Sequence, residues 1–158
     1  VPVGVRISQT KVNDLTYVWP GGDDDAKVVF SSIAATGIDF FDCSAHLGLD
    51  HVFGTNHSLS GLARQHSGLP VFANGKLHDP ALADRAIVEE EGDFVAIGKG
   101  ALADPEWPHK IAAGLEPVPF NPAMVMPFAT LDCNEDFWKA NPSGTPAESV
   151  VARDGVES

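Results

Sequence analysis

Two glycine-containing segments of the sequence have the residue types that bind an anion. They are Ala73-Asn74-Gly75-Lys76 and Ile97-Gly98-Lys99-Gly100, and each follows a short apolar run and precedes a helical pattern. Glycine lets the backbone approach a ligand closely, and the first N–H groups of a helix have no intrahelical partners. Either glycine alone is adequately explained as a turn residue. The pair, with the charge of Lys99 beside it, predicts a phosphate site at Gly75, Gly98 and Lys99.

Arg6 is a second candidate for chemistry, because it lies inside the apolar run Val3-Gly4-Val5-Arg6-Ile7. Arginine is rarely buried without a partner. One interpretation is a structural salt bridge to Asp39 or Asp42 on a neighbouring strand. The other is a cation held at the mouth of a site, where it stabilises developing negative charge.

A metal centre is disfavoured by the spacing of its candidate ligands. His46, His51 and His57 follow Cys43 in one loop segment, without a CxxC or HExxH frame. We therefore expect solvated loop histidines, with His46 of most interest because it closely follows a strand. The sequence also lacks GxSxG, GxGxxG and Walker patterns. The acidic run 89–91 predicts a solvated helix end.

Short apolar runs predict the elements that would position these residues. Their nearly continuous apolar character is typical of parallel strands that are buried on both faces. Caps and helical spacing predict one helix after each strand, with Asp79 as an N-cap and Gly92 as a stop. The predicted strands are 3–7, 38–43, 70–73 and 93–97, and the predicted helices are 25–35, 58–66, 79–91 and 105–113. This α/β alternation fits either a small doubly wound sheet or half of a (β/α)8 barrel.

Composition and charge exclude several classes of partner. The chain has 158 residues, with 22 acidic and 10 basic residues and a formal net charge of −12. This negative charge disfavours binding to nucleic acid or to an anionic membrane. No apolar run is long enough to span a membrane. No secretory signal is visible and two cysteines make no disulfide framework, so we expect a cytoplasmic location. Because the first residue is Val1 and not methionine, we expect the chain to be a processed product or a piece of a longer protein.

The pattern changes near residue 116, where several prolines interrupt any long helix. We therefore predict two regions. Residues 1–115 would form the α/β domain, and residues 116–158 a C-terminal extension that is partly disordered from about residue 141.

Four segments of the chain together form a specific sequence pattern. The most specific is Asp93-Phe94-Val95-Ala96-Ile97-Gly98-Lys99-Gly100-Ala101-Leu102-Ala103-Asp104-Pro105-Glu106-Trp107. The others are Val3-Gly4-Val5-Arg6-Ile7-Ser8, Asp39-Phe40-Phe41-Asp42-Cys43-Ser44 and Pro70-Val71-Phe72-Ala73-Asn74-Gly75. With these segments the chain resembles the C-terminal half of the old yellow enzyme family of FMN-dependent ene reductases and NADH:flavin oxidoreductases.

The resemblance implies a fold and a cofactor. The four strands would be strands five to eight of a (β/α)8 TIM-type barrel, and NAD(P)H would reduce bound FMN. Arg6 would lie at the flavin N1/O2 edge, and Asn74, Gly75, Gly98 and Lys99 would bind the cofactor, mainly through its phosphate. Family members usually carry arginine where Lys99 stands, and lysine lacks its bidentate fork. FMN, a small-molecule substrate, and an N-terminal half-barrel or a second copy are the implied partners.

Two functions from different classes follow from the resemblance. The chain is either part of an FMN-dependent NAD(P)H oxidoreductase that reduces activated alkenes or quinones by hydride transfer from the flavin, or a half-barrel without redox activity. The second would be an inactive fragment or a module that binds a phosphate ligand. The resemblance leaves the natural substrate and the choice between NADH and NADPH open.

Overall fold

The computed structural model describes residues 1–11 and 13–142, and they contain a four-stranded parallel sheet. The strands lie in chain order, with each paired to the next. They are β1 Gly4–Ile7, β2 Phe40–Ser44, β3 Val71–Asn74 and β4 Phe94–Ala96. All four predicted strands are confirmed, and so is their parallel arrangement.

The helices fall into two compact units of the chain, residues 1–97 and residues 98 onward. The first unit contains the sheet with α1 Asp23–Ala34, α2 Leu59–Ser67 and α3 Pro80–Val88. The second contains α4 Lys99–Ala103, α5 Trp107–Ala112, a 3-10 helix Pro122–Val125 and α6 Leu131–Ala140. Helix α4 is absent from the sequence prediction, because it is short and contains Gly100. The predicted domain boundary at residue 115 stays a prediction, and most of the tail predicted to be disordered, residues 143–158, lies outside the described residues.

One face of the sheet packs against helices and forms the core of the first unit. Phe30 of α1 packs edge-on to Phe41 of β2, with ring centroids 5.3 Å apart. Leu62 of α2 and Val71 of β3 belong to the same buried cluster. A second cluster joins Ala73 of β3 to Leu77 and Ala86 around α3.

The opposite face of the sheet carries the alternate residues of each strand and is partly open. Phe72 stacks on Phe94 with centroids 4.8 Å apart, and Phe94 is 50% exposed. The prediction of strands buried on both faces is therefore wrong for this chain. Strong apolar character on both faces is present in the sequence, but helices α1 to α3 cover only one of them.

Helix ends follow the predicted capping chemistry in part. The Asp79 carboxylate accepts from the Ala81 N–H at 2.9 Å, as predicted for an N-cap. The stop predicted at Gly92 is wrong, because α3 ends at Val88 and Glu90 takes a left-handed conformation with φ 58°. The predicted helix 105–113 is shortened to α5, and Gly114 follows it with φ 68° as expected for a terminator.

The acidic residue Glu91 is buried, which corrects the predicted solvated helix end. It is 4% exposed and its carboxylate accepts from the Ser58 N–H at 2.8 Å and the Ser58 hydroxyl at 2.6 Å. Nδ1 of His57 lies 3.2 Å from the same carboxylate, so His57 is not a merely solvated loop histidine. Because Ser58 is the N-cap of α2, Glu91 ties the segment before β4 to the start of that helix.

The second unit is organised by another buried carboxylate. Asp104 has no exposed surface and accepts from the Lys110 ammonium at 2.6 Å and the Val118 N–H at 2.8 Å. Burial alone would raise the pKa of Asp104, but these hydrogen bonds outweigh it and lower the pKa below its ordinary value. Among the described helices, none combines the length and the apolar character needed to cross a membrane.

Glu91→Gln should destabilise the first unit by about 1.5–3 kcal/mol, because the amide removes a charged acceptor from two Ser58 donors that are buried. Urea unfolding measures this loss. Glu90→Gln is the matched control, since Glu90 is exposed and lies 3.6 Å from Arg64. Its effect should stay within about 0.5 kcal/mol. Equal effects of the two substitutions would contradict the role assigned to Glu91.

Candidate functional site

Arg6 lies on the open face of the sheet and forms an ion pair with Asp42. The parallel register sets the two residues side by side, and the Arg6 Nε donates to Asp42 Oδ2 at 2.9 Å. The Arg6 side chain is 64% exposed, whereas the Asp42 side chain is 19% exposed. The predicted salt bridge to Asp42 is thus present, while Asp39 instead accepts from the Val3 N–H at 2.7 Å. The ion pair leaves most of the guanidinium accessible for a further contact.

Asp42 and Cys43 are consecutive residues of β2, and their side chains lie on opposite faces of the sheet. Asp42 Oδ1 is buried without a hydrogen-bond partner in the described structure. Cys43 points to the covered face, where burial, and secondarily the charge of Asp42, raises its pKa to about 12. Cys43 is therefore a neutral thiol at physiological pH and not a nucleophile.

Asn74 is the last residue of β3 and Gly75 follows it, at the same edge of the sheet as the end of β2. Asn74 pairs in register with Ser44 and so lies on the open face with Arg6. Gly75 has φ 135°, and a Cβ there would lie 2.5 Å from the Ala45 carbonyl oxygen and 2.6 Å from the Gly48 nitrogen. Glycine at this position is therefore required by the close approach of the loop that follows β2.

Gly98 and Lys99 begin the second unit, and their surroundings differ from those of Gly75. A Cβ at Gly98 would meet no atom within 4 Å, so the packing of the chain does not require glycine there. Gly98 is the N-cap of α4, with no side-chain hydrogen bond at that end. Lys99 is exposed, and its ammonium lies 5.5 Å from the centroid of the Phe120 ring.

The histidines of the loop after β2 do not assemble with other ligands. Within residues 1–11 and 13–142, no group of three or more His, Cys, Asp or Glu side chains is placed to hold a metal ion. His46 instead lines a cavity of about 240 Å³ at the ends of β1 and β2, together with Gln9 and Ser44. Ser44 of this cavity pairs in register with Asn74, so Asn74 and the cavity lie at the same edge of the sheet.

Comparison with known proteins identifies the family. The model of the NADH:flavin oxidoreductase / NADH oxidase family matches residues 3–117. The chain belongs to this family. FMN is the cofactor of the family and a nicotinamide is its electron donor, as the resemblance implied.

Individual relatives match only in part. A segment of 46 residues is 46% identical to an NADH oxidase from Thermoanaerobacter brockii, and it covers 29% of this chain and 7% of that enzyme. Morphinone reductase has a similar structure, with a TM-score of 0.66 and 18% sequence identity. The match covers 84% of this chain and 35% of the morphinone reductase chain. The old yellow enzyme from Trypanosoma cruzi gives a TM-score of 0.57 at 20% identity, over 75% of this chain and 29% of its own.

These structural matches establish the fold. The solved enzymes are (β/α)8 barrels, and this chain spans about a third of their length. The four parallel strands and their helices are therefore part of a barrel of this type, as predicted, and not a small doubly wound sheet. The assignment to strands five to eight remains what the resemblance implies.

The same substitution should destabilise the chain strongly at Gly75 and only slightly at Gly98. Gly75→Ala should cost more than about 2 kcal/mol of unfolding free energy, because it combines backbone strain with a backbone collision. Gly98→Ala meets open space and should change stability by less than about 1 kcal/mol. Thermal or urea unfolding of both variants tests this. A Gly98→Ala variant as unstable as Gly75→Ala would refute the contrast.

Proposed function

We propose that this chain supplies the phosphate-binding residues and the ring-edge arginine of an FMN-dependent NAD(P)H oxidoreductase that reduces activated alkenes or quinones. The observation that carries the proposal is the largely exposed guanidinium of Arg6 on the uncovered face of the sheet. An arginine that served packing alone would be expected to lie against neighbouring side chains. Membership of the family over residues 3–117 supports the same proposal.

The residues after β4 fit the phosphate of FMN. Gly98 has open space where a side chain would stand, and Lys99 follows it with an exposed ammonium. A phosphate dianion there would receive a charge-assisted bond from Lys99, in addition to N–H groups at the start of α4. Within the first unit, β3 and β4 are parallel neighbours, so the end of β4 lies at the same edge of the sheet as Asn74 at the end of β3.

Arg6 would act on the ring of the cofactor. Bound FMN supplies the hydride acceptor and donor of the reaction. The fixed positive charge of Arg6 would stabilise negative charge at the N1/O2 edge, and its position is held by Asp42 at 2.9 Å. Because Asp42 neutralises part of this charge, the ion pair would set how strongly Arg6 acts.

The open face also supports a partner for this chain. Among the described residues, β1 and β4 are the edge strands of the sheet, and one face of the sheet is covered by no described helix of the first unit. An N-terminal half-barrel or a second copy would cover these groups. The alternative function is a half-barrel that binds a phosphate ligand without redox chemistry.

Titration with FMN and with riboflavin tests the phosphate site, since riboflavin lacks the phosphate. The purified chain should quench FMN fluorescence and bind riboflavin more weakly. Lys99→Ala should weaken FMN about 10- to 100-fold, because it removes one charge-assisted bond, and should leave riboflavin unchanged. Lys27→Ala on α1 removes the same charge elsewhere and is the control. Equal binding of the two flavins, or no binding, would refute the phosphate site. Tight FMN binding without reduction by NADH or NADPH would support the alternative.

Reduction potentials of the flavin-loaded protein test the role of Arg6. Arg6→Met should lower the potential of bound FMN, because a cation beside the ring favours its anionic reduced form. Asp42→Asn should raise it, since it removes the charge that opposes Arg6. Arg6→Lys keeps the charge and is the control. Unchanged potentials with a loss of stability would instead support a purely structural salt bridge.

A further inference from the structure

The ammonium of Lys99 lies over an aromatic ring that the proposed function does not use. Its Nζ is 5.5 Å from the centroid of Phe120, within the range of a cation–π interaction. Both residues belong to the second unit of the chain. Lys99 begins α4, whereas Phe120 lies in the irregular segment between α5 and the 3-10 helix.

This irregular segment is fixed to the rest of its unit by Asp104. The carboxylate of Asp104 accepts from the Val118 N–H at 2.8 Å, and Val118 is two residues before Phe120. Asp104 is fully buried and is itself held by Lys110 at 2.6 Å. Asp104 directly follows the last residue of α4, so one side chain ties the Phe120 segment to the helix that carries Lys99.

We propose that Phe120 is a positioning residue that holds the Lys99 ammonium in place for the phosphate, with Asp104 fixing the backbone from which Phe120 extends. The proposal rests on the proposed role of Lys99 in FMN binding. It adds a residue outside the glycine segments to the phosphate site. Phe120 has no contact with the phosphate in this proposal and acts only through Lys99.

The physical reason lies in the flexibility of lysine. Its ammonium is a point charge on a stem of four carbons, and ordering that stem on binding costs conformational entropy. A ring that already restrains the ammonium removes part of this cost before the ligand arrives. An exposed cation–π contact of this kind corresponds to about a two- to fivefold change in an equilibrium constant.

The contact itself can be measured without any cofactor. In ¹H–¹³C spectra of the chain labelled at lysine, the ring current of Phe120 should shift the ε-CH₂ protons of Lys99, whose signal is assigned by its loss in Lys99→Arg. The shift should disappear in Phe120→Leu and persist in Phe120→Tyr. A Lys99 signal that is identical with and without the ring would overturn the proposal.

A double-mutant cycle then tests positioning against a structural role. FMN dissociation constants are measured by fluorescence quenching for the unsubstituted chain, Phe120→Leu, Lys99→Met and the double variant. Phe120→Leu should weaken FMN about two- to fivefold when Lys99 is present and leave it unchanged in Lys99→Met. Phe120→Tyr should restore the affinity, because tyrosine keeps the ring.

The outcomes separate the two proposals. Equal loss from Phe120→Leu in both backgrounds shows that Phe120 is structural and overturns positioning. A Lys99→Met variant that binds FMN normally refutes the proposed phosphate contact, whatever the spectra show for the ring. An unsubstituted chain that binds no FMN overturns both for this chain. An intact phosphate contact with no effect of Phe120→Leu overturns only the inference about Phe120.

Discussion

The packing of α1 and α2 against a single face of the sheet is the constraint on which the candidate site depends. Phe30 and Phe41 meet edge-on in the core, and this burial fixes which face of β2 is turned inward. Side chains alternate along a strand, so Asp42 must then lie on the opposite face. The parallel register carries the same alternation to Arg6 and, across β3, to Asn74. The hydrophobic core thus sets the orientation of the polar residues without touching them.

The sequence predicts the strands well, because they depend on local patterns, and the same local patterns point to the candidate site residues, whose roles stay predictions. Apolar runs predict all four strands. The glycines that follow two of these runs, Gly75 and Gly98, predict the phosphate site. The sequence leaves two partners open for Arg6, and only the strand register selects Asp42 over Asp39. The family resemblance supplied the barrel and the cofactor, which local patterns alone left undecided.

The residues missed by the sequence are those whose partners are distant along the chain. Glu91 lies 33 residues from Ser58, and Asp104 lies 14 residues from Val118. For Glu91, the acidic neighbours Glu89 and Glu90 indicate a solvated carboxylate. For both residues, only the fold brings the buried donors to the carboxylate. Burial of a carboxylate requires such donors, so these residues connect segments rather than carry chemistry. Helix α4 was missed for another reason, since five residues give too little periodicity to detect.

Cys43 gives the molecule an internal reporter of its own motions. Its thiol is buried in the same cluster as Phe41, and its pKa of about 12 keeps it protonated near neutrality. An alkylating reagent can modify it only after the sheet and its helices separate and the thiolate forms. The rate at which Cys43 is modified therefore measures how often the core opens. A partner that binds the open face and stabilises the sheet slows that rate without contacting Cys43.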